Sequence, residues 1–359
     1  MVEPLHASPV IKALFEDIGV DLARFDTAFD QDFYKRHNLG AVTYFNAETY
    51  GQDTLVKHPF CNYYNYIEGL PGAQVSDAAA VAQTPLSDTG KQQLLRVLKG
   101  GLHKLPVPET ERETYSQTHS YFDYLQSTLG VDDPEVLHMA RNSGLDWSNS
   151  GTELLTIAEA KECGALGFAP VPVYDENNPY IYHFPDGNAG VARALVKKLI
   201  PQVAAGDTAE ALVTARFDYS QLDRASNPVR IRLNSTAVDV HHVGDPSSSQ
   251  AVTISYIQNA QAHRVSAKNV IMACYNMMIP HIVSDLPSHQ AEALGQQMKS
   301  PLIYTTVGLR HWRAFKEQGI GMAMCPGNRH QAVLMDFPVS LGDYQYTQSP
   351  DDPCIIQMI

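Results

Sequence analysis

Glycines at Gly-x-Gly spacing are the first pattern to test, because a strand-Gly-x-Gly-x-x-Gly-helix unit would cradle a pyrophosphate on backbone N–H groups. Gly319-Ile-Gly321-Met-Ala-Met324 is the nearest match. It lacks the third glycine and follows a helix-like segment instead of a strand, so it reads as a loop. In Asp186-Gly187-Asn188, glycine permits an unusual backbone angle and asparagine caps the helix that follows, which accounts for the pattern without a ligand. The adjacent His241 and His242 read as solvated strand residues. Cys61, Cys163, Cys274, Cys325 and Cys354 show neither Cys-x-x-Cys spacing nor the density of a disulfide scaffold and read as buried thiols. No Gly-x-Ser-x-Gly elbow, His-Glu-x-x-His pair or phosphate loop occurs, so serine hydrolase, metalloprotease and nucleotidase chemistry has no support.

Composition narrows the field further. With 359 residues, 44% of them hydrophobic, the chain can build a large core and two joined lobes. A formal net charge of -13 argues against nucleic acid or an anionic membrane surface as partner, since both require clustered cations, and it suits a cationic substrate. Met1 to Leu14 carries no export signal, which leaves cytoplasm and periplasm both open, and no apolar run is long enough to span a bilayer. Ile355-Ile356-Gln357-Met358-Ile359 has the apolar density of a strand entering a core, and both ends are expected to be cut from something longer.

The elements that must position any site fall into three stretches. Residues 1–179 read as a mainly helical, substrate-side lobe. Val10, Ile11, Leu14, Phe15 and Ile18 recur at helical spacing between Ser8 and Gly19. Leu86–Leu98, Tyr121–Leu129, Pro134–Arg141 and Thr152–Cys163 follow, while residues 25–66 show no clear period and 71–85 read as a loop. Residues 180–285 change character. A helix begins at Asn188, with Val191, Leu195 and Leu199 on one face, and ends at Pro201. Val229, Ile231 and Leu233 alternate with polar residues; the register then moves to Val238 and Val240, which predicts a bulge near Ser235 and Thr236. Val252, Ile254 and Tyr256 alternate again, and Val270-Ile271-Met272-Ala273-Cys274 predicts a strand covered on both faces in a parallel sheet. In residues 286–359, Pro301–Leu309 and Val333–Val339 read as substrate-lobe strands joined through a helix around Trp312–Glu317.

Tyr182-His183-Phe184-Pro185-Asp186-Gly187-Asn188-Ala189, Val229–Val238, Ala273-Cys274-Tyr275-Asn276-Met-Met-Ile-Pro280 and Asp336-Phe-Pro-Val-Ser-Leu-Gly342 resemble the monoamine oxidase superfamily of FAD-dependent oxidoreductases, and within it the spermidine dehydrogenase branch. The resemblance implies a combined α+β and α/β fold: part of a Rossmann-like FAD lobe of the two-dinucleotide-binding-domain type, with a β-meander over residues 180–285, beside a mainly helical substrate lobe. It implies that Val238 gives backbone N–H and C=O to the adenine edge of FAD. It further implies that Ala273, Cys274, Tyr275 and Asn276 line the cofactor. The Gly-rich turn, the acidic ribose-binding residue and the carboxy-terminal segment that closes over the flavin are missing from the pattern. So is the lysine that many relatives place on the strand read here as Pro301–Val307.

The activity implied is oxidation of the CH–NH group of a small cationic amine, a spermidine-like polyamine, with hydride passing to flavin; neither the electron acceptor nor a catalytic base is specified. Carboxylates and aromatic faces should line the path of such a substrate, and Asp336, Tyr63, Tyr64 and Tyr66 are candidates. The rival readings are a flavin-dependent desaturase of an apolar substrate and a truncated, non-catalytic homologue. Without a phosphate-binding turn this chain should retain no stoichiometric FAD, because losing that unit costs several kcal/mol, on the order of a thousandfold in affinity. A visible spectrum of the purified protein showing fully loaded flavin would contradict this expectation.

Overall fold

The computed structural model describes residues 4–62, 67–143, 150–168 and 179–359. The described strands are β1 (Gly40–Phe45), β2 (Thr54–Val56), β3 (Ser235–His242), β4 (Val252–Gln258), β5 (Gln261–Ala267), β6 (Thr305–Leu309), β7 (Ile320–Met324), β8 (Ala332–Met335) and β9 (Cys354–Met358). Two compact units result. The first comprises Met1–Lys198, Ala204–Arg216 and Leu302–Ile359, and the second Leu199–Val203 and Phe217–Pro301.

The first unit is mixed α/β, around a six-stranded sheet of order β2-β1-β7-β8-β9-β6. β1 runs parallel to β7, with Ala41 opposite Met322 and Thr43 opposite Met324, and the remaining neighbours are antiparallel. β1 lies inside the stretch read as helical and irregular. Five of its six residues are buried, so it shows no polar face and no period of two. Gly319-Ile-Gly321-Met-Ala-Met324, read as a loop, is β7. Gly319 ends the helix Arg313–Gln318 at φ +71, and at Gly321 a Cβ would come within 2.5 Å of Leu70 Cδ1. These glycines serve a turn and a close packing contact. The strands expected at 301–309 and 333–339 appear as β6 and β8, and Ile355–Ile359 supplies β9, which pairs with both.

Trp312, with Nε1 donating to Thr347 Oγ1 at 2.8 Å, is fully buried with Phe33, Tyr34 and Met322 against this sheet. A second core gathers Leu94, Val97, Tyr121, Leu125, Ile157 and Leu166 from the helical segments. Side-chain caps set their boundaries: Ser87 accepts from Gly90 N–H, Asp133 from Glu135 and Val136, and Thr156 forms a capping box with Glu159. Within the stretch read as a loop, Asp77–Gln83 is a helix capped by Ser76; its alanine-rich sequence is a strong helix former.

In the second unit β3, β4 and β5 form the expected antiparallel meander. The bulge falls one step later than expected: the register shifts between Ala237 and Asp239, leaving Val238 without a partner on β4. Val229, Ile231 and Leu233 do not form a strand. Arg230 and Arg232 pair with Asp223, and Ile231 N–H donates to Leu222 O at 2.9 Å, which ties this stretch to the preceding turn. The buried strand expected at Val270–Cys274 is also absent. The ladder ends at Ala267, residues 268–274 have no regular structure, and Ile271 is 91% exposed. A fully apolar run forms a strand only where neighbouring strands supply backbone partners, and among the described residues none pairs with it.

Asn259 and Ala260 join β4 to β5 with φ of 52 and 59, as a two-residue turn with both central residues left-handed requires. Alanine pays a Cβ penalty there that glycine does not. Ala260→Gly should therefore stabilise the protein by about 0.5–1 kcal/mol, read as a higher denaturant midpoint at unchanged slope; a lower midpoint would contradict this turn geometry.

Candidate functional site

The cofactor-lining residues expected from sequence all lie in the second unit. Val238, 45% exposed, stands at the bulge of β3, so a backbone group outside the ladder register accompanies an accessible side chain. Two residues on, Val240 N–H donates to Ile282 O at 2.8 Å. His242 fastens the same edge: its N–H donates to Asp285 Oδ2 at 2.8 Å, and that N–H bond first, then the ring, holds the Asp285 carboxyl below the usual range. The outer edge of β3 is thereby held against residues 282–285, immediately after the 3-10 helix Asn276–His281. Ala273, Cys274 and Tyr275 are exposed, and the Asn276 amide donates to Gln297 Oε1. Among the described residues no hydrogen bond links Val238 directly to Ala273, Cys274, Tyr275 or Asn276. Cys274 is an exposed free thiol, unlike the buried Cys61, Cys163, Cys325 and Cys354, because the strand that would have enclosed it does not form.

As a seat for FAD these residues fit in part. The bulged backbone at Val238 suits an adenine edge, and the small Ala273 leaves room for a ring. Among the described residues of the second unit no glycine turn at a helix N-terminus supplies the pyrophosphate donors.

The first unit concentrates its polar and aromatic chemistry where β8 ends. Asp336 N–H donates to Ile355 O at 3.0 Å, which extends the β8–β9 pairing by one residue and fixes where its side chain leaves the sheet. The half-buried carboxyl accepts from Phe337 N–H at 3.0 Å and from the Gln357 side chain, and burial outweighs both, raising its pKa. No arginine or lysine among the described residues pairs with it. Tyr34, Tyr344 and Tyr346 lie near enough for its charge to raise their own pKa values, after the larger effect of burial, and Tyr346 Oη donates to the Asp336 carbonyl at 2.7 Å.

The next residue, Phe337, carries the other half of the arrangement. His183 stacks on its ring at 3.6 Å and 13°, and Tyr180 meets both edge-on at 4.4 Å and 6.0 Å. Phe29 closes the group, and its segment is sewn to residues 338–340 by Asp30 N–H to Pro338 O and Ser340 N–H to Ala28 O, each 2.8 Å. Burial pushes the His183 imidazole down to about 3, against the opposing Tyr180 carbonyl, and its buried Nε2 has no hydrogen-bond partner among the described residues. His183 is therefore neutral at physiological pH.

Sequence reasoning singled out Asp336 but gave no role to His183, Tyr180 or Phe337. The signal available was the aromatic density of Tyr180-Ile-Tyr182-His183-Phe184 beside Asp336-Phe337. Tyr63, Tyr64 and Tyr66 lie outside the described residues. Asp186 is occupied structurally: it pairs with Arg193 at 3.6 Å, and Gly187 at φ +64 makes the turn into the helix Ala189–Leu199.

No family model matches this chain, and no curated protein matches it. Solved structures of putrescine oxidase do, including a double mutant from a redesign of its cofactor binding and the wild type bound to putrescine. Each has a TM-score of 0.44 and 14% identity, over 98% of this chain and 62% of that one. A triple mutant of the same enzyme gives a TM-score of 0.42 and 15% identity. This chain thus spans 62% of the length of the solved structures it matches.

Because the folded-state pKa of His183 lies below its unfolded value, folding excludes a proton that the unfolded chain takes up, and stability falls as pH drops from about 6.5 towards 3. His183→Phe keeps the stack and removes the titration. It should recover on the order of 1 kcal/mol at pH 5 and little at pH 8, measured by denaturant midpoints; an equal change at both pH values would show that His183 is not the group responsible.

Proposed function

We propose that this chain belongs to an FAD-dependent oxidoreductase acting on the CH–NH group of a cationic amine, with a diamine or spermidine-like polyamine as substrate. One observation carries the reading. His183 from Tyr182–Ala189 and Phe337 from Asp336–Gly342, two of the segments whose sequence resembles that family, stack face to face, beside a half-buried carboxyl with no cation partner among the described residues.

An ammonium group arriving at Asp336 would supply the missing partner. It favours the ionised carboxylate, and the pair forms in surroundings where Coulomb attraction is stronger than in water. The faces of Phe337 and Tyr180 suit the methylenes and the second charge of such a substrate. FAD, when bound, supplies the two-electron oxidation of the carbon beside the nitrogen, leaving an imine for water to hydrolyse. Val238 would hold it through its backbone, and Ala273, Cys274, Tyr275 and Asn276 would line it. A desaturase of an apolar substrate would have no use for a lone carboxyl at this position.

The test uses the complete reading frame supplied with FAD, with putrescine- and spermidine-dependent dye reduction as readout. Asp336→Asn should raise KM for either amine by about a hundredfold with a smaller effect on kcat, since an exposed-to-buried charge pair is worth about 2–3 kcal/mol. The same substitution should stabilise the unliganded protein. The folded-state pKa of Asp336 is raised, so ionising it costs stability as pH climbs from about 4 through the folded value, and the asparagine escapes that cost. The gain should be on the order of 1 kcal/mol at pH 8 and vanish near pH 3. Ala273→Phe should exclude the cofactor by volume, and Val238→Pro should weaken it more than Val238→Ala. No turnover with any polyamine, or full flavin loading in Ala273→Phe, defeats the corresponding part.

A further inference from the structure

A second site lies in the helical part of the first unit, among residues none of which takes part in the arrangement at Asp336. A cleft of about 800 Å³ opens between the loop after β2, the end of the helix Asp88–Leu98 and the segment 161–168, within the size range of a small-molecule site. Its walls are apolar: Phe60, Leu98 and Phe168 line it, with Phe168 stacked on Tyr124 at 5.7 Å. Gly100 and Gly167 present bare backbone at the mouth.

The polar groups are distributed unevenly. Tyr124 is 1% exposed, and burial pushes its pKa up to about 12 against the opposing Gly101 backbone, so the hydroxyl keeps its proton, which meets no acceptor among the described residues. Lys99, His103 and Lys161 stand at the rim, and among the described residues none of them is in an ion pair. Among the described residues Asp77 is the one carboxylate on the lining, and it is engaged by His58: Nε2 lies 3.1 Å from Asp77 Oδ1, while Nδ1 accepts Phe60 N–H at 2.9 Å, which puts the ring proton on Nε2. Acidic residues outnumber lysine and arginine by 39 to 26 in this chain, so a rim with two unpaired lysines and, among the described residues, one occupied carboxylate runs against the composition.

We propose that this cleft binds an amphipathic organic anion: an aromatic body against Phe60, Leu98 and Phe168, and an acidic group held by Lys99, Lys161, His103 and the Tyr124 hydroxyl. The overall negative charge repels anions at long range, so selectivity comes from these few short contacts and weakens with salt.

The test is fluorescence titration of the purified chain with two probes of similar shape, anionic 8-anilinonaphthalene-1-sulfonate and uncharged N-phenyl-1-naphthylamine. Lys99→Gln combined with Lys161→Gln changes two exposed side chains and should leave the thermal midpoint in place. The anionic probe should bind about tenfold more weakly to that variant and lose most of its salt dependence, with the uncharged probe unaffected. Ala73→Trp, at an exposed position on the mouth, should weaken both probes by obstruction. Unchanged binding of the anionic probe to both variants, or equal weakening of the two probes by the lysine substitutions, would overturn the proposal.

Discussion

The parallel pairing of β1 with β7 is the constraint on which the first unit depends. It joins residues 40–43 to residues 320–324, so the loop entropy of the whole intervening chain must be offset by a short ladder and the side chains packed on it. The offset comes from burial. Val42, Thr43 and Phe45 on β1 and Met322, Ala323 and Met324 on β7 are all buried, and Thr43, the one polar member, donates to His58 O at 2.8 Å. β8 hangs on β7, β9 on β8, and Asp336 leaves the sheet where β8 ends. The position of the carboxyl is thus set by a strand pairing made far from it in sequence.

The same pairing explains what was legible beforehand and what was not. The meander β3–β4–β5 was readable because Val252, Ile254 and Tyr256 face one way and their polar neighbours the other, and helices with Ser, Asp or Thr caps declared their own ends. β1 was illegible because a strand buried on both faces has no polar side to mark its period. β7 reads as a loop because Gly319 and Gly321 directly follow a helix, whereas Gly319 ends that helix and Gly321 is there to admit Tyr34 and Leu70. Val270–Cys274 failed in the opposite sense: its composition describes a central strand, but composition cannot provide a ladder, and the described neighbours offer none.

The candidate site was half legible for a related reason. A lone acidic residue before a strand can be noticed in a sequence, and Asp336 was. That it lacks a counter-charge among the described residues is a property of three-dimensional packing, which no local sequence displays. The stacking of His183 on Phe337 is likewise invisible in one dimension, because nothing in either local sequence names the other as partner.

Burial acts on the two titrating groups at this end of β8 in opposite directions but to one effect. It raises Asp336 and lowers His183, and each shift moves the group towards its uncharged form. Either group, charged and buried without a partner, would cost several kcal/mol. Their responses to a cation then diverge. An ammonium near Asp336 lowers its pKa and favours the carboxylate, whereas the same positive charge depresses His183 further and keeps it neutral. The two groups thus answer a positive charge in different ways: the carboxylate of Asp336 is favoured while the His183 imidazole in the aromatic floor stays uncharged.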